Sequence, residues 1–174
     1  MRFVVTGEWT RNRLLKTIVL CFLTYTLILW LSNFGLYFAK MSLWPSSVVD
    51  YYCGNEAKFL SSRSLQGLLE QLHFHSFAMG ILLLTLTHLV LFVPISMRAK
   101  AYGIAAAFFS GIGDELSGWG VRFVHPGFAF MKIGCFLLLQ GSIVWLMVLV
   151  TRALLVDAPS AYTQGGVPPV RPVT

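Results

Sequence analysis

The chain contains four long apolar stretches, and they restrict its fold more than any other feature of the sequence. They cover residues 17–39, 71–97, 101–121 and 126–151. A helix of about 20 apolar residues crosses the roughly 30 Å hydrocarbon core of a bilayer. Backbone groups in lipid must find partners within the chain, so only helices and closed barrels span membranes, and runs this long exclude barrel strands. The sequence therefore predicts an all-α integral membrane four-helix bundle.

The third stretch is the least regular of the four. It is rich in Ala, Gly and Phe, and Asp114 and Glu115 interrupt it. The apolar part before Asp114 is only about 13 residues long, which is shorter than a complete span. The segment is therefore predicted to be either a fourth spanning helix or a broken or re-entrant one.

The composition leaves no room for a separate soluble enzyme. Hydrophobic residues make up 56% of the chain and charged residues 11%, compared with roughly 45–50% and 25% in soluble proteins. Residues 17–151 are predicted to form one membrane domain with an outer loop at 40–70, in which Ser64 begins the second helix. Residues 1–16 form a basic lead and residues 152–174 a flexible tail.

The positive charges predict the orientation of the chain. The net charge of +6 is spread over helix ends without a dense basic run, which indicates membrane topology rather than nucleic-acid binding. Eight of the 13 Lys and Arg residues precede the first stretch, separate the second from the third, or follow the fourth. The positive-inside rule then places both termini in the cytoplasm, with the protein in the inner (cytoplasmic) membrane.

Three of the four histidines are predicted to lie at one membrane depth. His73 and His75 occupy the outer end of the second span, and His125 begins the fourth span on the same side. A haem held between two helices needs one neutral imidazole from each helix at equal depth. No C-x-x-C-H motif occurs, so the haem would be of the b type and not covalently attached.

Helical periodicity selects His73 as the ligand that pairs with His125. His73 shares a face with Gly80, where a flat ring can approach, whereas the face of His75 is predicted to point to lipid. Arg122 and Lys132 are placed to meet the haem propionates near the interface.

A second site is predicted less directly from His88, Asp114 and Glu115. No other histidine remains to complete a second bis-histidine haem with His88. A carboxylate at membrane depth should face the bundle or water, where it could pass protons to a quinone or hold Arg122. Two alternatives stay open: the His73–His125 pair holds copper instead of haem, or the histidines only anchor helices at the headgroup boundary and bond across the bundle.

The arrangement of His73 and His125, with Gly80 beside them and His88 as a further candidate ligand, resembles small four-helix membrane b-type cytochromes. The resemblance covers residues 17–151. It implies a haem-bearing membrane anchor that serves a redox partner outside the membrane. The chain departs from two-haem members of such families, because only two or three of the four required ligands are present.

Three functions are compatible with these features. The leading one is an electron-transfer subunit that binds one b haem near the outer face. Its predicted partners are lipid, other membrane or periplasmic redox subunits, and quinone. No nucleic-acid binding is predicted. The second is a cofactor-free accessory or assembly subunit of a larger membrane complex. The third is a copper or proton-coupled transport site that uses His73, His88 and Asp114. No Ser-His-Asp order and no P-loop is present, so no catalytic residue is predicted.

Overall fold

The computed structural model describes residues 13–155, and these fold into five α-helices without a β-strand. The helices are α1 (Arg13–Lys40), α2 (Pro45–Cys53), α3 (Leu65–Val90), α4 (Met97–Phe123) and α5 (Phe128–Leu155). A short 3-10 turn, Glu56–Lys58, follows α2. The all-α prediction is confirmed for this part of the chain. Most of the predicted basic lead and flexible tail lies outside it.

Three helices are long and apolar enough to cross a membrane: α1, α3 and α5. The protein is therefore an integral membrane protein with several spans, as predicted. The fourth candidate, α4, has a similar length of 27 residues but is more polar than these three. Its crossing of the membrane remains a prediction.

The boundaries of α3 differ in part from the prediction. The helix starts directly after Ser64, as expected, and the Ser64 side chain accepts a hydrogen bond from the Gly67 amide at 3.1 Å. The predicted span to Met97 is wrong, because α3 ends at Val90 and Met97 already belongs to α4. Pro94 lies in the turn between them, where it cannot donate a helical hydrogen bond.

Helix α4 is continuous and carries its polar residues on the inside. The broken-helix alternative is wrong, since the helix runs without interruption through Asp114 and Glu115. The buried side chains include Ser110, Asp114, Glu115 and Ser117, whereas the most exposed ones include Tyr102, Phe109, Ile112 and Leu116. A surface helix of a soluble protein shows the opposite arrangement. The exposed face of α4 therefore suits a lipid environment.

Small residues allow α4 to approach α5 closely. A Cβ atom added to Gly113 would lie 2.7 Å from the Cys135 Sγ, and one added to Gly120 would lie 2.5 Å from the Phe128 ring. Such positions accept only glycine, as is common where membrane helices pack. The two helices run antiparallel and form the most extensive helix pair in the structure.

Two apolar clusters lie at opposite ends of the bundle. The end that contains α2, the start of α3 and the turn between α4 and α5 is here called the α2 end. Its cluster contains Tyr37, Met41, Val48, Tyr52, Leu68, Val121, Ala129 and Phe136. The second cluster extends toward the other end and includes Leu23, Leu86, Val90, Ile143, Leu146 and Val150. Buried polar side chains lie between the two clusters.

Helix α1 packs against α5 near this polar layer. The Trp30 Nε1 donates a hydrogen bond to the Gln140 carbonyl oxygen at 3.1 Å. The Tyr37 ring stacks on Phe136 with 3.8 Å between the ring centroids. These contacts fix the C-terminal half of α1, although much of its surface is exposed.

A charged pair links α2 to the loop that follows it. The Asp50 carboxylate accepts hydrogen bonds from the Lys58 Nζ at 2.6 Å and the Asn55 Nδ2 at 2.8 Å. The bond from Lys58, followed by that from Asn55, lowers the pKa of Asp50. Asp50 lies outside the spanning helices, so the effect of its protonation can be measured on the loop residues.

We expect this loop to loosen in acid. Because the folded state lowers the pKa of Asp50, the stabilisation is present above the ordinary carboxyl pKa of about 4 and is lost as the pH falls below it. Hydrogen exchange of the amides in residues 55–62, corrected for intrinsic rates, should show falling protection between about pH 4 and pH 2. Asp50→Asn should abolish this pH dependence, and an unchanged profile in that variant would contradict the assignment.

Candidate functional site

A buried ion pair connects α4 and α5 in the polar layer. The Lys132 Nζ lies 2.8 Å from the Asp114 Oδ2, and the two side chains are only 5% and 8% exposed. The Lys132 Nζ also donates to the Asp114 carbonyl oxygen at 3.0 Å. The close approach of the helices at Gly113 brings the two groups together. Lys132 is thus satisfied by two oxygens of one residue, which offsets part of the desolvation of its charge.

A second acid–base contact joins α3 to α4. The His75 Nδ1 forms an ion-pair contact with the Glu115 Oε1. The Glu115 side chain is 8% exposed, whereas that of His75 is 29% exposed. Since Glu115 directly follows Asp114 in the chain, both contacts lie at the same level of the bundle. We refer to His75, Asp114, Glu115 and Lys132 as the acid–base cluster.

All four members of the acid–base cluster line one cavity of about 200 Å³. The wall is completed mainly by polar and aromatic side chains: Asn33, Tyr37, Tyr51, Tyr52, Gln71, Phe136 and Gln140. Within residues 13–155, the buried Asp114 Oδ1 and Gln140 Oε1 have no hydrogen-bond partner. Buried polar atoms are normally paired. These two acceptors are therefore suited to bind a polar donor that enters the cavity.

The cavity reaches the surface near the α2 end. Lys40 and Leu36, which line it at the end of α1, are exposed. In the opposite direction the wall ends at Leu139 and Gln140, and the apolar cluster of the other end follows directly. The acid–base cluster is thus open toward the α2 end and closed by apolar packing toward the other end.

The structure reverses the predicted faces of His73 and His75. His73 is exposed, and its ring contacts Phe74 at 5.6 Å between centroids. His75 instead points into the bundle, and its face includes the buried Met79 and Leu86. The face assignment was wrong because a membrane protein is apolar both toward lipid and toward its core. Hydrophobicity alone does not separate the two sides.

His125 lies in a turn and not at the start of a helix. Helix α5 begins at Phe128, and the His125 Nδ1 accepts a hydrogen bond from the Gly127 amide at 2.9 Å. The ring is exposed, and neither His73 nor His125 lines either of the two cavities that His75 borders. This arrangement does not supply the paired inward imidazoles that a haem between the two helices requires.

The remaining predicted residues have other partners. Arg122 donates hydrogen bonds to the Arg63 carbonyl oxygen and the Ser62 Oγ, at 3.0 and 3.2 Å, so it is not held by Asp114 or Glu115. His88 is exposed and contacts Phe92. It therefore does not join the two carboxylates in a second site.

No metal centre is formed by the residues that the structure describes. Between residues 13 and 155, no three His, Cys, Asp or Glu side chains are arranged so that they could hold a metal ion. Gly80 lines a cavity, but this cavity lies between α3 and α4 and is also lined by His75 and Glu115. The predicted copper site on His73 and His125 thus gains no third ligand here.

Two residues that line the cavity, Tyr37 and Tyr52, were not predicted from the sequence. An aromatic residue near the membrane boundary has no periodic pattern that distinguishes a cavity-lining position from a lipid anchor. Lys132 was recognised as unusual, but its partner was sought in a propionate and not in Asp114. The opposite charges of Lys132 and Asp114 are the sequence feature that could have identified them as partners.

A family of transmembrane helical domains, Aq_1264_TM, matches residues 42–161. This range contains α2 to α5 and all members of the acid–base cluster, while α1 precedes it. No curated protein and no solved structure matches the chain. Since the match covers more than half of the 174 residues, the chain belongs to the Aq_1264_TM family of transmembrane helical domains.

Proposed function

We propose that the protein is a membrane-embedded acid–base module that exchanges protons between the aqueous phase at the α2 end and a ligand or partner within the bilayer. The observation that carries the proposal is the convergence of four ionisable side chains from three helices on one cavity. Burying an ionisable group in a membrane protein costs several kcal/mol unless it is paired, and such groups are usually functional.

The two pairs of the cluster have different capacities to change their protonation. Lys132 and Asp114 form a nearly fully buried pair that neutralises itself at the contact between α4 and α5. His75 is partly exposed and contacts Glu115, so a proton taken up by this pair changes its net charge. The Lys132–Asp114 pair therefore supplies a fixed local field, and the His75–Glu115 pair supplies the exchangeable proton.

Access to the cavity from the α2 end determines where the proton comes from. The cavity reaches the surface near Lys40 at the α2 end, and apolar packing closes the other direction. A channel through the bilayer would need a polar path on both sides. The sequence predicts that eight of the 13 Lys and Arg residues lie on the cytoplasmic side, so the positive-inside rule favours an α2 end outside the cytoplasm.

The proposal includes a membrane position for α4. Its exposed face is apolar, with Phe109 and Tyr102 about three-quarters exposed, while its charged residues Asp114 and Glu115 face the bundle. Mean hydropathy underestimates the tendency of such a helix to cross a membrane. It counts the inward-facing charges as if they had to be solvated by lipid. With α4 as a fourth span, α1, α3, α4 and α5 form a four-helix bundle.

Chemical labelling of Glu115 tests the proton exchange. Dicyclohexylcarbodiimide reacts with carboxyl groups in their protonated form, and peptide mass spectrometry locates the adduct. In proteoliposomes, labelling of Glu115 should increase when the pH is lowered in the compartment at the α2 end. His75→Gln should change the rate of this labelling at the same pH, because the carboxylate loses its contact with the imidazole.

The matched control is His73→Gln, which changes a histidine two positions away that is exposed and lines neither cavity. It should leave the rate of Glu115 labelling unchanged. Equal rates in the His75 and His73 variants, or a response only to the pH of the opposite compartment, would contradict the proposal.

Electron transfer in a larger redox complex remains a prediction of the sequence. An absorption spectrum of the purified protein tests it directly, since a b-type haem gives a Soret band whose intensity should fall in His125→Ala. A preparation without that band, after incubation with haem, would leave the acid–base module as the better supported function.

A further inference from the structure

A second cavity of about 250 Å³ lies between α3 and α4, and it differs in character from the first. Apart from His75 and Glu115, its wall is formed by small or apolar residues, among them Ser76, Met79, Gly80, Leu83, Ile112 and Leu116. The wall is thus almost entirely apolar, with polar groups concentrated at the acid–base cluster.

His75 and Glu115 line both cavities, and they are the two residues that the cavities have in common. The pair therefore separates a polar space that reaches the α2 end from an apolar space between two helices. The Glu115 Oε1 is buried and makes no hydrogen bond of good geometry with residues 13–155. It can accept one from a molecule in the apolar cavity.

The apolar cavity borders the lipid-facing surface. Ile112 and Leu116 in its wall are 58% and 54% exposed. A Cβ atom built on Gly80 has no neighbour within 4 Å, so the space beside this residue is open. A molecule dissolved in the bilayer can reach the His75–Glu115 pair from this side without crossing water.

We propose that this cavity binds a lipid-soluble monocyclic quinone and its quinol. The polar end of the cavity offers a carboxylate that accepts a hydrogen bond from a quinol hydroxyl and an imidazole that can donate to a quinone carbonyl. The apolar wall takes the ring and the start of its alkyl tail. The inference rests on the proposed function, because it names a ligand that hydrogen-bonds to the His75–Glu115 pair.

The size and polarity of the cavity select this class of ligand. An apolar cavity of about 150 Å³ is enough for benzene, so about 250 Å³ fits one substituted ring and excludes a fused-ring sterol. An acyl chain would fill the same space but would offer no hydrogen-bonding group to Glu115 and His75 at its polar end, which is unfavourable.

Binding can be measured with the full-length protein in nanodiscs. Decylubiquinone should quench the tryptophan fluorescence saturably, and decylubiquinol should displace it. Gly80→Leu should weaken binding at least about tenfold, because the new side chain occupies the space for the ring. Glu115→Gln should weaken displacement by the quinol by about tenfold through the loss of a charge-assisted hydrogen bond.

Gly134→Leu is the control for the effect of a new leucine on a membrane helix. A Cβ atom at Gly134 on α5 also has no neighbour within 4 Å, and this residue lines neither cavity. Equal affinities in the Gly80 and Gly134 variants would overturn the proposal. Displacement by decylbenzene as effective as that by decylubiquinol would do the same, since it would identify a site for hydrocarbon chains.

The two proposals can fail separately. Gly80→Leu leaves the acid–base cluster in place, so its Glu115 labelling should still depend on pH at the α2 end. Normal labelling without quinone binding would reject the ligand and keep the acid–base module. Quinone binding with labelling insensitive to His75 would reject the proton exchange.

Discussion

Replacing Lys132 by Met should destabilise the protein by about 3–5 kcal/mol, the range found when one partner of a buried ion pair is removed. The substitution leaves the Asp114 carboxylate, which is 5% exposed, without its cation. It also removes the hydrogen bond from the Lys132 Nζ to the Asp114 carbonyl oxygen. Unfolding in mixed micelles, followed by tryptophan fluorescence, measures the loss.

The double variant Lys132→Met, Asp114→Leu should recover most of this stability. Replacing both members of a buried pair by apolar side chains of similar volume is often neutral or stabilising. The single and double variants therefore separate the penalty of an unpaired charge from the net contribution of the pair. A double variant as unstable as the single one would mean that the pair itself holds α4 on α5.

The exposed pair Lys58–Asp50 provides the matched comparison. Its oxygen–nitrogen distance of 2.6 Å is as short as that of the buried pair, but the Lys58 side chain is 61% exposed. Exposed ion pairs contribute little to stability. Lys58→Met should therefore shift the unfolding midpoint far less than Lys132→Met, and equal shifts would contradict the membrane burial of Lys132.

Long apolar runs predicted the helices well, but they could not predict which faces of the helices are inside. The stretch around His73 and His75 was correctly assigned to one helix. Met79 and Leu86, which share the face of His75, were expected to contact lipid and are buried. In a soluble protein the exposed face would be polar and the choice would be clear. In a bilayer both environments favour the same residues.

Polar residues within the apolar runs were the better guide to the site. Asp114, Glu115 and Lys132 were selected from the sequence because a charge at membrane depth requires a partner, and the structure brings all three to one cavity. The partners were assigned incorrectly. Nothing in one sequence gives the relative rotation of α4 and α5, which depends on close contacts such as that between Gly113 and Cys135.

The end of α3 could not be predicted from hydropathy, for a different reason. The apolar run continues to Met97, so the periodic pattern gave no reason to end the helix earlier. Pro94 stops the helical hydrogen bonding a few residues before that point, and the chain turns between Val90 and Met97. Local chemistry therefore fixed this boundary, and a hydropathy profile does not resolve it.

The second large effect is expected at Tyr52, which attaches α2 to the bundle. The side chain is 1% exposed, and its ring contacts α4 where Gly118 leaves space for it. A Cβ atom at Gly118 would lie 2.7 Å from the Tyr52 Oη. Removal of a buried aromatic side chain usually costs about 3–5 kcal/mol, so Tyr52→Ala should destabilise the protein by this amount.

The loss should be concentrated at the α2 end. Hydrogen exchange of the amides in α2 should accelerate strongly in Tyr52→Ala, because this helix of nine residues is too short to persist without tertiary contacts. Tyr52→Phe should retain most of the stability, since the ring still fills the space beside Gly118. Tyr102→Ala, at a tyrosine of α4 that is 75% exposed, should have little effect on either measurement.

The same variant connects stability to the acid–base cluster. Tyr52 lines the cavity together with Asp114 and Lys132, so loss of its ring widens the path from the α2 end to the ion pair. Water that enters there weakens the attraction between the two charges. Lys132→Met should consequently cost less in Tyr52→Ala than in the wild-type protein, which a double-mutant cycle measures. Strictly additive losses would show that α2 does not shield the pair from water.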